Sequence, residues 1–391
     1  MSAPQCHPGL FETEKEWVEH QPFLLQQGYL LRPRYNPQWL SLHKNTSKWK
    51  RWGLFTSAKS TREDDVRTFV YTAMDATRVS DNKKVVLKRF LTTNSREVTI
   101  HRYLDSPQLR VDPRNHTIPL LDVIVMPDTP WSFLVTPYSR EIDYPPFHCR
   151  LEFVECMTQF IEGLEFMHEH NIAHLDIARK NMLMDESRVV PQGSHFGDYR
   201  SHTGIPGVFR WRDRCSVGPV PYYYIDFGLS HHFPNGKDTA SVKGKLRTFP
   251  DIPELSDDVP YNPFPVDIYQ LGLTIHKIIY CYPDLEIFRP VADGMTVADP
   301  TLRTSPTQAL ACLRGITEAI PPQQLREQIW DTAATPKLKR DRKKLGGYRF
   351  DWSYIRDDAL YGVNQWELPS STFMKKREES LGSAEYFKDV Q

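Results

Sequence analysis

The chain has 391 residues, of which 40% are hydrophobic and 25% are charged, as in an ordinary folded globular protein. Its 49 Lys and Arg residues balance its 49 Asp and Glu residues, so its charge does not favour nucleic acid as a partner. The length is sufficient for one large two-part domain with extensions.

Six cysteines are scattered along the chain without a CxxC pair, so we predict neither a zinc site nor a disulfide framework. The first residues lack the basic and apolar regions of a signal peptide. The most apolar stretch, 271–280, contains His and Lys and is shorter than the roughly 20 residues of a membrane helix, so it predicts a buried helix. We therefore expect an intracellular protein, cytoplasmic or nuclear, without a membrane partner.

Residues 1–138 begin with an irregular extension and continue mainly with strand patterns. Residues 1–65 are rich in Trp, Tyr, Pro and basic residues and predict an extension with one short helix followed by loops. Period-two patterns predict strands, and apolar residues at helical spacing predict one helix at 95–106. The predicted strands cover 66–79, 83–91, 113–126 and 131–139.

The remainder is mostly helical, beginning with a long amphipathic helix at 151–170. A β-rich part followed by a helical part predicts an α+β protein with two lobes and a cleft between them. Residues 186–222 are a Gly-, Pro- and Arg-rich insertion, either a solvated surface loop or a flap that contacts a partner or substrate. The tail, 313–391, carries a basic run at 337–344, either a solvated face or a localisation or acidic-partner signal.

Polar residues follow the long helix in a segment, HLDIARKN (174–181), that resembles the catalytic loop of protein kinases, and this resemblance implies roles in phosphoryl transfer. Asp176 could orient an attacking hydroxyl and accept its proton, and Lys180 could lie near the transferred phosphate. Asn181 and Asp226 offer the hard oxygen ligands that Mg²⁺ prefers. Each residue alone is also consistent with a turn or a cap, but their order between a helix and a strand favours a catalytic site.

This segment, HLDIARKN from His174 to Asn181 followed by Asp226-Phe227-Gly228, resembles the H-R-D-x-x-x-x-N and D-F-G motifs of eukaryotic protein kinases. The resemblance covers about 66–312 and implies a small β-rich N-lobe, 66–138, and a larger helical C-lobe, 139–312. It implies ATP and Mg²⁺ as cofactors. Residues 28–39 and the insertion further resemble a group of fungal protein-kinase-like proteins.

The resemblance implies a nucleotide site in the β-rich part. Lys88, at the end of VVLK, would bind the α- and β-phosphates and pair with Glu97, although only a short connection separates the two.

For adenine, the resemblance implies Val86 as the roof and Leu183 as the floor. The hinge would be Thr136-Pro137-Tyr138; because proline lacks an N–H group, the hinge amide must come from Tyr138 or Ser139.

Late motifs separate protein kinases from small-molecule kinases. Ile252-Pro253-Glu254 is similar to A-P-E, and DIYQLG, from Asp267, begins the central helix of the C-lobe. Asp267 would accept hydrogen bonds from the catalytic loop. DPTLRTSPTQAL is similar to the segment whose arginine, here Arg303, pairs with the A-P-E glutamate, Glu254. We expect that ion pair to be buried.

Three features depart from the kinase pattern. No glycine occurs in YTAMDATRV (71–79), where we expect the β1–β2 turn over the phosphates, so the grip on nucleotide should be weak. Leu175 replaces the arginine that binds a phosphorylated residue of the activation loop in kinases, so activity should not depend on phosphorylation of that loop. Ala178 replaces a lysine of serine/threonine kinases, for which Lys180 could compensate.

Two hypotheses follow from this balance of intact and missing motifs. The first is a protein kinase that acts on a hydroxyl of a protein substrate. The second is a catalytically impaired pseudokinase that acts as a nucleotide-binding scaffold for a signalling partner. The late motifs argue against a third, a small-molecule kinase.

Overall fold

The computed structural model describes residue 10 and residues 12–37, 72–93 and 96–350. These form an α+β structure. Its helices are α1 (Glu12–Gln26), α2 (Arg96–Leu104), α3 (Pro107–Arg110), α4 (Arg150–Glu169), α5 (Arg214–Val217), α6 (Pro263–Cys281), α7 (Arg289–Met295), α8 (Pro306–Ala319), α9 (Pro322–Leu325) and α10 (Pro336–Leu345). Its strands are β1 (Tyr29–Leu31), β2 (Ala73–Arg78), β3 (Lys83–Leu91), β4 (Asp122–Val125), β5 (Trp131–Pro137), β6 (Arg140–Glu141), β7 (Ile172–Ala173), β8 (Met182–Met184), β9 (Gly207–Arg210), β10 (Tyr222–Tyr224), β11 (His231–His232) and β12 (Gly347–Phe350).

The largest sheet is antiparallel, with strand order β1-β2-β3-β5-β4. Because side chains alternate along a strand, the two faces of β3 differ. Val85 and Leu87 are buried in a cluster that includes Trp17 of α1. Val86 and Lys88 are only partly covered and lie on the opposite face. The sheet therefore turns one face to α1 and the other to the candidate site.

The described residues of the predicted extension, 1–65, include the helix expected there, and they pack against the large sheet. Helix α1 covers one face of the sheet, and β1 pairs with β2 through Tyr29 and Arg78. The prediction of a turn within 71–79 is wrong, because 73–78 form one continuous strand. The connection between the two strands, 32–72, is far longer than a hairpin turn. Residues 38–71, including part of the predicted strand 66–79, lie outside the described residues.

A second core lies between α4, α6, α7 and α8. The predicted helices at 151–170 and 271–280 are confirmed as α4 and α6. Helix α6 begins where Asn262 accepts a hydrogen bond from the Phe264 amide and Pro263 occupies the first turn. In the described part of the chain, no helix combines the length and apolar character needed to cross a membrane.

The insertion 186–222 is packed against the helical core, so its interpretation as a solvated loop is wrong. Phe209 and Trp211 belong to the helical core, and Tyr348 of the tail packs against them. Strand β9 pairs with β12 over its whole length. The basic run 337–344 lies within α10, which is capped by Thr335. The insertion and residues 313–350 of the tail are thus parts of one packed structure, and the remainder of the tail, 351–391, lies outside the described residues.

Candidate functional site

Lys88 joins three segments of the chain at the partly covered face of β3. Its Nζ lies 2.6 Å from Glu97 Oε1 on α2 and 2.7 Å from Asp226 Oδ1, which follows β10. The predicted contact between Lys88 and Glu97 is present. The short connection between β3 and α2 is long enough to allow it. Burial disfavours the ammonium charge, but Glu97 and Asp226 outweigh it and hold the pKa of Lys88 above its usual value.

Asp226 is held as a carboxylate by the same contact. Burial raises its pKa, but the Lys88 charge and hydrogen bond, with a hydrogen bond from the Gly228 amide, bring the pKa below its usual value. The backbone at Asp226 has a φ of 65°, in the left-handed region that L-residues rarely adopt. Such local strain is common at functional sites, where it fixes the direction of a side chain.

The short turn between β7 and β8 carries the second group of predicted residues. The Asn181 amide nitrogen donates to Asp176 Oδ2 at 2.7 Å and to the Asp176 carbonyl at 2.9 Å. Lys180 Nζ lies 3.3 Å from Asp176 Oδ2. Thr248 donates its hydroxyl to Asp176 Oδ1 at 2.5 Å. The sequence motifs do not predict this contact, because Thr248 is far from Asp176 along the chain and no local pattern indicates it.

Side chains of helix α6 form hydrogen bonds with the backbone of this turn. Asp267 accepts hydrogen bonds from the backbone amides of His174 at 2.7 Å and Leu175 at 2.6 Å, which confirms its predicted role. Gln270 accepts from the Ile177 amide and donates to the Leu175 carbonyl. Leu175 itself has a φ of 65°, so the anchoring stabilises a strained backbone.

Phe227 ties the turn to α2. Its ring centroid lies 5.3 Å from the ring of His101 on α2 and 5.3 Å from the ring of His174. The His174 Nε2 also lies 3.0 Å from the Ile225 carbonyl. These contacts fix the position of Asp226 relative to both Glu97 and the turn that carries Asp176.

The oxygen atoms left over suit a hard cation. The side-chain nitrogen of Asn181 donates to Asp176, so the side-chain oxygen of Asn181 is available as a ligand. Asp226 contacts Lys88 through Oδ1, so its Oδ2 is available as a second ligand. The Ile225 amide donates to the Asn181 carbonyl, so the two segments are hydrogen-bonded neighbours. An amide oxygen and a carboxylate oxygen, completed by waters or phosphates, fit Mg²⁺.

Of the predicted adenine contacts, Val86 and Thr136 lie on paired strands of the large sheet, and Leu183 lies in the three-stranded sheet β10-β8-β6. Val86 on β3 is directly opposite Thr136 on β5, and Leu183 is the partly covered central residue of β8. Two backbone amides, those of Tyr138 and Ser139, were predicted to bind adenine. The Tyr138 N–H donates to the Lys84 carbonyl at 3.3 Å as part of the sheet, so it is not free to bind adenine. Ser139 is left for that role.

A polar cluster beside Val86 was missed by sequence reasoning. Asp75 on β2 is directly opposite Val86 and is only 4% exposed. Its carboxylate lies 3.1 Å from Arg32 and 3.5 Å from Lys84. A charged residue inside a strand pattern was the available signal.

The insertion completes this cluster. Lys84 donates to the Ser194 carbonyl at 2.7 Å, and the hydroxyl groups of Ser194 and Tyr138 are 2.9 Å apart. His195 Nε2 lies 3.0 Å from the Arg32 guanidinium. The insertion therefore contacts the predicted hinge and the edge of the sheet together.

The predicted ion pair between Arg303 and Glu254 is confirmed. Arg303 Nη2 lies 2.8 Å from Glu254 Oε2, and the Arg303 side chain is fully buried. This pair fixes the segment after Thr248 to the start of α6, where Arg303 also donates to the Pro265 carbonyl.

Comparison of the chain with family models gave no match, and comparison with curated proteins gave none.

Proposed function

We propose that this chain is a bilobal protein kinase that transfers the γ-phosphoryl group of ATP to a hydroxyl group of a protein. One observation carries the proposal: Lys88 contacts Glu97 and Asp226 at once. Strand β3, helix α2 and the segment after β10 are thereby joined at one point, and that segment is linked to Asp176 through the hydrogen bonds of Ile225 and Asn181. That arrangement is the one required to bind nucleotide phosphates and a metal together.

In the proposed reaction, a new P–O bond forms to the substrate hydroxyl as the bond to the ADP oxygen breaks. Asp176 accepts the hydroxyl proton, and Lys180 lies close enough to balance charge on the phosphoryl oxygens. Asn181 and Asp226 would hold Mg²⁺, which neutralises phosphate charge when bound. The Thr248 hydroxyl donates to Asp176 Oδ1 and so helps to orient that carboxylate.

The test is transfer of labelled phosphate from ATP with Mg²⁺, to the chain itself or to a generic protein substrate. We expect Asp176→Asn to lower the rate by about 10²–10⁴-fold, the usual contribution of a general base. Asp238→Asn, which changes an exposed aspartate, is the matched control and should keep the wild-type rate. Equal transfer by the wild type and Asp176→Asn would contradict the proposal.

A second candidate is a catalytically impaired pseudokinase that binds nucleotide as a scaffold for a signalling partner. The buried Asp75, opposite Val86, favours it, because an ionic cluster adjoins the apolar roof expected over adenine. Here we expect a Mg²⁺-dependent rise in melting temperature with ATP that Lys88→Met abolishes, but no phosphate transfer. If ATP neither shifts the melting temperature nor donates phosphate, both candidates fail.

A further inference from the structure

Four side chains with metal-binding atoms converge where the insertion meets α4. His148, Cys149, Glu152 and Cys215 each offer one ligand atom, and all four atoms lie within 4.8 Å of one another. The first three lie at the start of α4, and Cys215 lies on α5 of the insertion. The chain thus brings a distant thiol to a local group of three donors.

Hydrogen bonds already hold this cluster together. The amides of His148 and Cys215 donate to the two oxygens of Glu152, at 2.8 and 3.1 Å. Cys215 Sγ is 3.9 Å from His148 Nδ1. The other ring nitrogen of His148 lies 3.7 Å from the carboxylate of Asp213. This separation is slightly longer than a hydrogen bond, and a movement of less than about 1 Å would form the histidine–carboxylate hydrogen bond that commonly orients an imidazole toward a metal.

The donor set selects the class of metal. Two thiols with an imidazole and a carboxylate suit Zn²⁺, whereas Mg²⁺ and Ca²⁺ prefer oxygen ligands alone. Tetrahedral zinc with Zn–S bonds of about 2.3 Å places its ligand atoms roughly 3.3–3.8 Å apart. No two of the four atoms are more than 4.8 Å apart, so side-chain movements of about 1 Å would close the shell.

We propose that His148, Cys149, Glu152 and Cys215 bind one structural Zn²⁺ ion that fastens the insertion to α4. Four protein ligands complete the tetrahedral shell, so no position remains for a substrate. Burial raises the pKa of the Cys149 and Cys215 thiols, and a bound cation reverses this by stabilising the thiolates. The site does not depend on the proposed kinase activity.

The primary experiment measures zinc in the full chain, reconstituted with ZnCl₂ under reducing conditions and desalted. We expect about one zinc per chain in the wild type and a large loss in Cys215→Ser. Cys312→Ser changes a partly buried cysteine outside the cluster and should retain the wild-type zinc content.

Two further measurements use the wild-type chain, in case Cys215→Ser does not fold. Co²⁺ in place of zinc should give the charge-transfer absorption of metal–thiolate bonds. Removal of the metal with a chelator should speed proteolytic cleavage within 186–222. A wild-type chain that retains no zinc, or a Cys149–Cys215 disulfide that persists under the reducing conditions, would overturn the proposal. Equal zinc in the wild type and folded Cys215→Ser would also overturn it.

Discussion

The Arg303 side chain has no solvent exposure, and its hydrogen bonds go to carboxylate and carbonyl oxygens. It donates to both carboxylate oxygens of Glu254 and to the carbonyls of Val297, Pro265 and Ala298. A buried charge is tolerated only when it is paired and hydrogen-bonded in this way. At the scale of single residues, loss of either partner would leave the other as an uncompensated charge with little exposure to solvent.

We predict that Arg303→Leu lowers the free energy of unfolding by about 3–5 kcal/mol, because it leaves Glu254 as an uncompensated, nearly buried charge. Urea denaturation measures this. Arg314→Leu removes the more exposed pair with Glu162 and should cost at most about 1 kcal/mol. A cost for Arg303→Leu no larger than that of Arg314→Leu would contradict the prediction.

At the scale of elements, α1 stands out because it precedes the region of kinase resemblance yet completes the core of the large sheet. Trp17 is 1% exposed and its ring centroid lies 5.7 Å from that of Phe133 on β5. Leu25, on the same helix, is 46% exposed. One helix therefore offers both a core position and a surface position.

We predict that Trp17→Ala lowers the free energy of unfolding by about 3–5 kcal/mol, through lost burial and the cavity left behind. Leu25→Ala, which keeps the helix and removes only exposed apolar surface, should change it by less than about 0.5 kcal/mol. Thermal and urea unfolding of both variants measure the difference. Similar values for the two would mean that α1 does not stabilise the sheet.

Elements with strong local patterns were predictable from sequence, and elements that depend on a distant partner were not. The amphipathic pattern of α4 and the alternation in β3 are local, and both predictions agree with the structure. Strand β1 has only three residues, and it is a strand because β2 pairs with it after a long connection. That partner is invisible to any local window, so the turn was predicted at 71–79 instead.

At the scale of the whole molecule, buried histidines make stability depend on pH. Burial lowers the pKa of His101, His116 and His276 to about 4, below the ordinary 6.5. Below pH 6.5 the unfolded chain binds protons that the native chain excludes, so stability is full above pH 6.5 and falls toward pH 4. Burial raises the pKa of Asp331 to about 6, so as the pH falls the native chain binds this proton before the unfolded chain does. Protonation of Asp331 therefore stabilises the native chain and offsets part of the loss due to the histidines.

We predict that the free energy of unfolding is about 2–4 kcal/mol lower at pH 5.5 than at pH 7, since three histidines outweigh one aspartate. Urea denaturation at the two pH values measures this. His101→Gln, which keeps a donor for the Ile118 carbonyl, should remove about 1 kcal/mol of the difference. Stability that is equal at both pH values would contradict the prediction.

The candidate site was predictable where motif order carries the information. The pairs Lys88–Glu97 and Arg303–Glu254 were both expected from motifs and are both present. The contacts of Asp75 and of the insertion were not, because they arise from packing between residues far apart in sequence. The sequence analysis predicted no zinc site because it searched for cysteines close along the chain. Cys215 is far from His148, Cys149 and Glu152 in sequence, so cysteine spacing does not reveal their cluster.

The pairing of β9 with β12 has a consequence for synthesis on the ribosome. Translation proceeds from the N-terminus, so β9 emerges long before the residues around Tyr348 exist. Until then the nascent chain exposes an unpaired strand edge and the aromatic side chains of Phe209 and Trp211. We expect this interval to be when the chain most needs a chaperone, and a stop codon ahead of β12 to make that exposure permanent.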